Sequence, residues 1–132
     1  FDGGVTSIQS HPSREHYWAV GSYDERLRLY DARQMRLPMC ETEVGGGIWR
    51  VKWHPTDPRK LLLGCMHGGF MVLDGAGLDG CTNIEAPMDI ICRFDGHESI
   101  AYGCDWERAA PESHLVYSCS FYDAAFHIWA WQ

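Results

Sequence analysis

The stretch Ile48-Trp49-Arg50-Val51-Lys52-Trp53-His54-Pro55 decides the fold. Trp49, Val51 and Trp53 alternate with Arg50 and Lys52, the two-residue period of a strand, and a proline, which lacks an amide donor, closes it. The closing pair occurs twice, as His11-Pro12 and His54-Pro55, 43 residues apart; Gly21 and Asp31 return at the same interval as Gly64 and Asp74. Tyr23-Asp24 returns once more as Tyr122-Asp123 after 99 residues, with insertions lengthening the third copy. Tyr30, Leu73 and Trp129 fall on one position of the three copies. Such a repeat is one supersecondary unit copied along the chain, each copy burying its face against the next.

The first strands fall at 5–10, 48–53 and 100–106. The second, at 17–21, 61–65 and 115–119, are nearly all apolar, as expected for strands covered on both faces. Third strands alternate again at 27–30 and 126–129, and a more polar fourth fits 39–44 and 89–94. Helical spacing is absent. The expected architecture is all-β: three antiparallel blades of four-stranded type, approximately 1–44, 45–95 and 96–132, with about eleven strands because the third copy stops before a fourth.

Composition agrees. The 132 residues are 45% hydrophobic and 22% charged, which is globular and argues against disorder. No apolar run approaches the roughly 20 residues of a membrane helix, and no basic segment leads into an apolar signal core. Eleven Lys and Arg against 18 Asp and Glu leave a net charge of −7, which repels phosphate backbones, so no nucleic-acid partner is expected. Arg26, Arg28, Arg33 and Arg36 are interleaved with Asp24, Glu25 and Asp31 and read as a solvated strand face. Cys40, Cys65, Cys81, Cys92, Cys104 and Cys119 show no metal or redox spacing; reduced, buried thiols are expected, with Cys65 and Cys119 as small core residues. The histidines form no close ligand pair either, so neither metal nor cofactor is expected.

Four strands every 43 residues or so is the period of the WD-repeat β-propellers, and the chain resembles them further. Gly96-His97 matches that family's Gly-His pair, Trp129 its third-strand tryptophan, and Asp123, six residues earlier, its turn aspartate. The resemblance implies that His97, Asp123 and Trp129 form a hydrogen-bonded network locking the blade. Ala130 stands where the family carries aspartate, and the first two copies lack both His and Trp. Because such rings have about seven blades, the resemblance implies some four blades before Phe1 and a natural C-terminus near Gln132. An isolated piece would then expose blade faces and be marginally stable or self-associating.

More particular strings are Gly45-Gly46-Gly47-Ile48-Trp49-Arg50, Cys65-Met66-His67-Gly68-Gly69-Phe70, Gly96-His97-Glu98-Ser99-Ile100-Ala101-Tyr102 and Ser118-Cys119-Ser120-Phe121-Tyr122-Asp123. They resemble the diphthine methyltransferase family from Gly3 to Trp131, except that 75–95 carries no matching motif and reads as a variable loop. The resemblance implies a cytoplasmic eukaryotic protein of diphthamide biosynthesis. Its substrate would be the methyl ester of methylated diphthine on translation elongation factor 2, and its products diphthine and methanol. No nucleophile comes with the resemblance, and no Gly-x-Ser-x-Gly elbow is present. Fold alone points to the alternative, a noncatalytic WD-repeat scaffold whose loop face binds other proteins.

Connections from fourth to first and from second to third strands share one propeller face, where function concentrates. His67 sits at the turn position of Asp24 and Asp123 and is the candidate general base, set against a merely solvated turn histidine. Amides of Gly45, Gly46 and Gly47, or of Gly68-Gly69, are oxyanion candidates, set against glycine's ordinary use in tight turns. The implied substrate carries a trimethylammonium group. Tyr23, Tyr102, Tyr122 and Trp49, with Asp24, Glu98 and Asp105, are the aromatic and acidic groups that could hold it, set against tryptophans that only fill space between blades.

Overall fold

Apolar alternation and proline- or glycine-marked turns give eleven strands among the described residues, each bonded within its own sheet to the strand next to it in the chain. The computed structural model describes residues 1–78 and 86–132, so Cys81 lies outside the described residues. β1 (Val5–Ser10), β2 (Tyr17–Ser22), β3 (Arg26–Asp31) and β4 (Cys40–Glu43) form the first antiparallel sheet. β5 (Arg50–Trp53), β6 (Lys60–Gly64), β7 (Phe70–Asp74) and β8 (Asp89–Phe94) form the second, so the segment expected as a variable loop also supplies a strand. β9 (Gly103–Trp106), β10 (Leu115–Ser120) and β11 (Ala125–Ala130) form the third, which has three strands. A single turn of 3-10 helix, Pro111–Ser113, interrupts the all-β pattern. The architecture is that of a WD-repeat β-propeller, three blades of an incomplete ring with β1, β5 and β9 side by side.

Two strands begin later than the alternation suggests. The amide of Ile48 bonds to Ser22 O (3.0 Å) and that of Ala101 to Met66 O (2.9 Å). Both reach the preceding blade rather than their own sheet, so β5 starts at Arg50 and β9 at Gly103.

Two apolar layers separate the three sheets. Leu27 and Leu29 meet Val51, Leu61, Leu63 and Leu73 in one; Leu62, Phe70 and Val72 meet Trp106, Val116 and Trp129 in the other. The middle sheet is therefore covered on both faces, and Leu61, Leu62 and Leu63 of β6 are all buried. β10 departs from that expectation: Cys119 is exposed, because it lies on a face with no described neighbour. Cys40 and Cys65 are buried, Cys92 and Cys104 half-buried. Arg28 also differs from a solvated face: it is buried, bonded to Asp24 and Glu41 (2.9 Å each) with its guanidinium over the Phe1 ring. Among the described residues no helix is long and apolar enough to cross a membrane.

The His-Pro pairs are joints between blades. His11 packs edge-on against Trp53 (4.4 Å) and His54 against Trp106 (4.7 Å). Those tryptophans donate to the preceding blade, Trp53 Nε1–H to Gln9 O (3.2 Å) and Trp106 Nε1–H to Lys52 O (2.9 Å). His11 Nδ1 accepts the amides of Ser13 and Arg14 (3.1 and 3.0 Å), and His54 Nδ1 those of Thr56 and Asp57 (3.1 and 2.9 Å). In the third blade the Glu107 carboxylate takes this place, accepting the Ala109 amide at 2.7 Å.

Both imidazoles must keep Nδ1 unprotonated, and burial, the main cause in each, lowers their pKa below the ordinary 6.5. The unfolded chain therefore binds these protons more readily, so stability rises with pH. The contribution is complete above about pH 6.5 and is lost as pH falls below it toward the depressed native values. Thermal unfolding followed from neutral pH down to about 5 should show a falling Tm. The double variant His11→Asn/His54→Asn, whose amide oxygens still accept, should flatten that slope; an unaltered slope would assign it to other groups.

Candidate functional site

Backbone hydrogen bonds knit the connections at one end of the blades together. Val44 N–H donates to Glu25 O (2.9 Å), Ile48 N–H to Ser22 O (3.0 Å) and Ala101 N–H to Met66 O (2.9 Å). Glu98 N–H donates to Asp123 Oδ2 at 2.9 Å. The strings singled out in the sequence thus share a face. Across it run five rings, each in contact with the next: Tyr23–Trp49 (6.1 Å between centroids), Trp49–Tyr102 (5.6 Å), Tyr102–Phe121 (6.0 Å) and Phe121–Tyr122 (5.3 Å). All are spacings at which aromatic pairs attract. Tyr23, Phe121 and Tyr122 are exposed, while Trp49 and Tyr102 are half-buried. The Arg50 guanidinium lies 5.6 Å over the Tyr102 ring.

Tyr23 and Tyr122 stand at opposite ends of this row, so the aromatic groups form an open strip rather than a closed cage. Asp24 is turned inward: its Oδ2 lies 2.9 Å from Arg28 Nη2, and its side chain is buried. Burial opposes the Asp24 charge, but the guanidinium and the amides of Asp2 and Arg26 hold the carboxyl pKa down at about 2. Asp105 is drawn to Arg108 (2.9 Å), and Glu98 is exposed.

Gly45 has φ of +80°. A Cβ on Gly46 would lie 2.2 Å from Cys65 O, so only glycine lets this connection touch the turn of the second blade. The amides of Gly45, Gly46 and Gly47 donate to no acceptor among the described residues.

His67 has the chain position of Asp24 but not its local role. Asp24 Oδ1 and Asp123 Oδ1 accept the amides of Arg26 (3.2 Å) and Ala125 (2.8 Å). In the second blade carbonyls do this work: Gly68 N–H bonds to Cys65 O (2.7 Å) and Gly69 N–H to Met66 O (3.3 Å). Positive φ at Met66 (46°) and Gly69 (78°) makes that possible. His67 is left exposed, at a cavity of about 230 Å³ that Asp95, His97, Glu98 and Ser99 also line.

His97, Asp123 and Trp129 come together through Ser118, which the sequence reading missed. Trp129 Nε1–H donates to Ser118 Oγ (3.1 Å), Ser118 Oγ lies 2.9 Å from His97 Nε2, and His97 Nδ1 lies 3.1 Å from Asp123 Oδ2. A carboxylate only accepts, so the imidazole proton sits on Nδ1 and the serine hydroxyl donates to Nε2. Burial works against the Asp123 charge, yet the Ala125 amide, His97 and the Glu98 amide keep its pKa below the usual carboxylate range. The connectivity is Ser–His–Asp, but Ser118 is only 2% exposed and already takes the indole N–H. It is not presented to an ester. The only signal for it was a serine two residues before Ser120 on an alternating strand, which picks out neither. Among the described residues, no three His, Cys, Asp or Glu side chains converge as metal ligands do.

No protein-family model matches the chain. It is 42% identical over 134 aligned residues to a diphthine methyltransferase homolog of Dictyostelium discoideum, covering 97% of this chain and 35% of that protein. It is 43% identical over 106 residues to the diphthine methyltransferase of Homo sapiens, covering 78% of the chain and 22% of the relative. The Saccharomyces cerevisiae protein of the same name is 29% identical over 153 residues, covering 97% and 37%. The chain thus spans between about a fifth and somewhat over a third of the length of these relatives.

Proposed function

This chain is a relative of the diphthine methyltransferases, and we propose that the protein hydrolyses the methyl ester of methylated diphthine on translation elongation factor 2, in the cytoplasm, giving diphthine and methanol. The observation that carries this reading is the row of five rings from Tyr23 to Tyr122 on the loop face. Such a strip suits the trimethylammonium end of diphthine, each ring face contributing about 0.5–2 kcal/mol. The net charge of −7 favours the same cation. Asp24, held inward and ion-paired with Arg28, is left out of direct contact with the cation.

In the chemistry, a water oxygen attacks the ester carbonyl carbon while His67 takes one water proton. The carbonyl π pair moves onto its oxygen, facing the free amides of Gly45, Gly46 or Gly47. Collapse re-forms the carbonyl and breaks the bond to the methoxy oxygen, which recovers the proton and leaves as methanol. A carboxylate and one proton released to solvent complete the balance.

A noncatalytic scaffold is the second reading. It is favoured by the one assembled Ser–His–Asp chain among the described residues, which is buried and structural. Methanol release from methylated diphthine on the elongation factor by purified full-length protein separates the two, and its absence would leave only the scaffold. Tyr23→Ala and Tyr122→Ala should each raise KM several-fold in that assay. Unchanged kinetics in both would remove the aromatic strip from substrate binding.

A further inference from the structure

Arg50 opens β5, the strand of the middle blade that lies between β1 and β9. Among the described residues its guanidinium makes one hydrogen bond, to Trp49 O at 3.2 Å, and it lies over Tyr102. No carboxylate pairs with it among the described residues, as with Arg14, Arg36, Lys52 and Arg93, whereas Arg26, Arg28, Arg33, Arg59, Lys60 and Arg108 have ion-pair partners. A guanidinium carries five N–H donors in a planar fork, so most of this one's donors are unspent.

The repeat does not require the cation. Arg50 pairs with Gly64, and the register-equivalent positions are Ser7, opposite Gly21, and Gly103, opposite Cys119. Neither of those blades places a charge there, so blade packing alone does not explain an arginine. The bond to Trp49 O and the face of Tyr102 instead fix the group beside the middle of the aromatic strip.

Resting on the function proposed above, we propose that Arg50 is an anion-binding group of this face, in addition to the Gly45–Gly47 amides. It donates to the ester carbonyl oxygen as charge develops there, and it pairs with the carboxylate once methanol has left. Cation and carboxylate of the product would then be read by neighbouring groups, rings for one and guanidinium for the other. A bidentate pair of this kind is among the stronger hydrogen-bonded contacts available.

The test uses full-length protein and an elongation-factor peptide carrying diphthine, prepared as the free carboxylate and as its methyl ester. Calorimetry should show the wild type binding the carboxylate about tenfold more tightly than the ester, and Arg50→Gln binding the two alike. Arg50→Gln should also lower kcat by about 100-fold and abolish product inhibition, with an unchanged Tm and partial recovery in Arg50→Lys. Equal binding of the two peptides by the wild type overturns the inference, as does an Arg50→Gln protein that keeps the preference. Loss of activity with product inhibition intact also overturns it, by showing a structural role. A wild type that prefers the carboxylate but releases no methanol upholds the anion site and overturns the esterase instead.

Discussion

Replacing His97 by alanine is expected to lower the unfolding free energy by about 2–4 kcal/mol. Among the described residues the imidazole is the only group joining Ser118 to Asp123. Without it the Ser118 hydroxyl keeps the Trp129 N–H but has no acceptor for its own proton, inside a sheet where water cannot replace it. Asp123 retains the amides of Ala125 and Glu98 and loses its one side-chain donor. The void opens against Phe70 and Phe94, whose rings lie 5.5 and 5.9 Å from the imidazole, so the contact between the second and third blades loosens too. Ser118→Ala should cost about 1–3 kcal/mol: it opens a smaller void, but it leaves the buried Trp129 N–H without an acceptor and His97 Nε2 without a donor. Denaturant unfolding of the full-length protein and the two variants measures both. An effect under about 0.5 kcal/mol in either variant would show that the hydrogen-bonded chain does not hold the blade.

Replacing His67 by alanine should do the opposite, leaving stability alone and removing turnover. The side chain is exposed and makes no hydrogen bond among the described residues, and its turn is closed by the carbonyls of Cys65 and Met66. Folding therefore has little to lose, and Tm should be unchanged. If His67 takes the water proton, methanol release should fall by about 10²–10⁴-fold, the usual contribution of a positioned base. Added imidazole, small enough to enter the 230 Å³ cavity, should restore part of the rate. Activity within twofold of the wild type would remove His67 from the chemistry and shift attention to Glu98 and Asp95 on the same cavity.

The two histidines illustrate what could be read from a linear chain. His97 carries a spacing, Gly-His followed by Asp123 and Trp129, so its partners were legible; Ser118 was not, because a serine on an alternating strand looks like any other. His67 was legible only as a position. Its turn matches that of Asp24 in length and register, Gly64 pairing with Phe70 as Gly21 pairs with Leu27. Which residues take positive φ was not legible, since that depends on Met66 bonding across to Ala101. Arg28 fails for the same reason. Interleaved charges suggest a wet face, but Asp24, Glu41 and the Phe1 ring, up to 27 residues away, close over it.

Taken alone, the sequence determined the repeat of 43 residues, the strands and their order, and the face on which the unusual strings gather. These follow from local chemistry: side-chain alternation, proline's missing amide, and the reversal of direction at each antiparallel turn. The tertiary structure decided which blade faces are covered, that Asp24 turns inward while His67 turns out, and that five rings from three blades meet in one strip beside an unpaired Arg50. Those outcomes depend on contacts between blades, where residues far apart in the chain compete for the same space and the same hydrogen bonds.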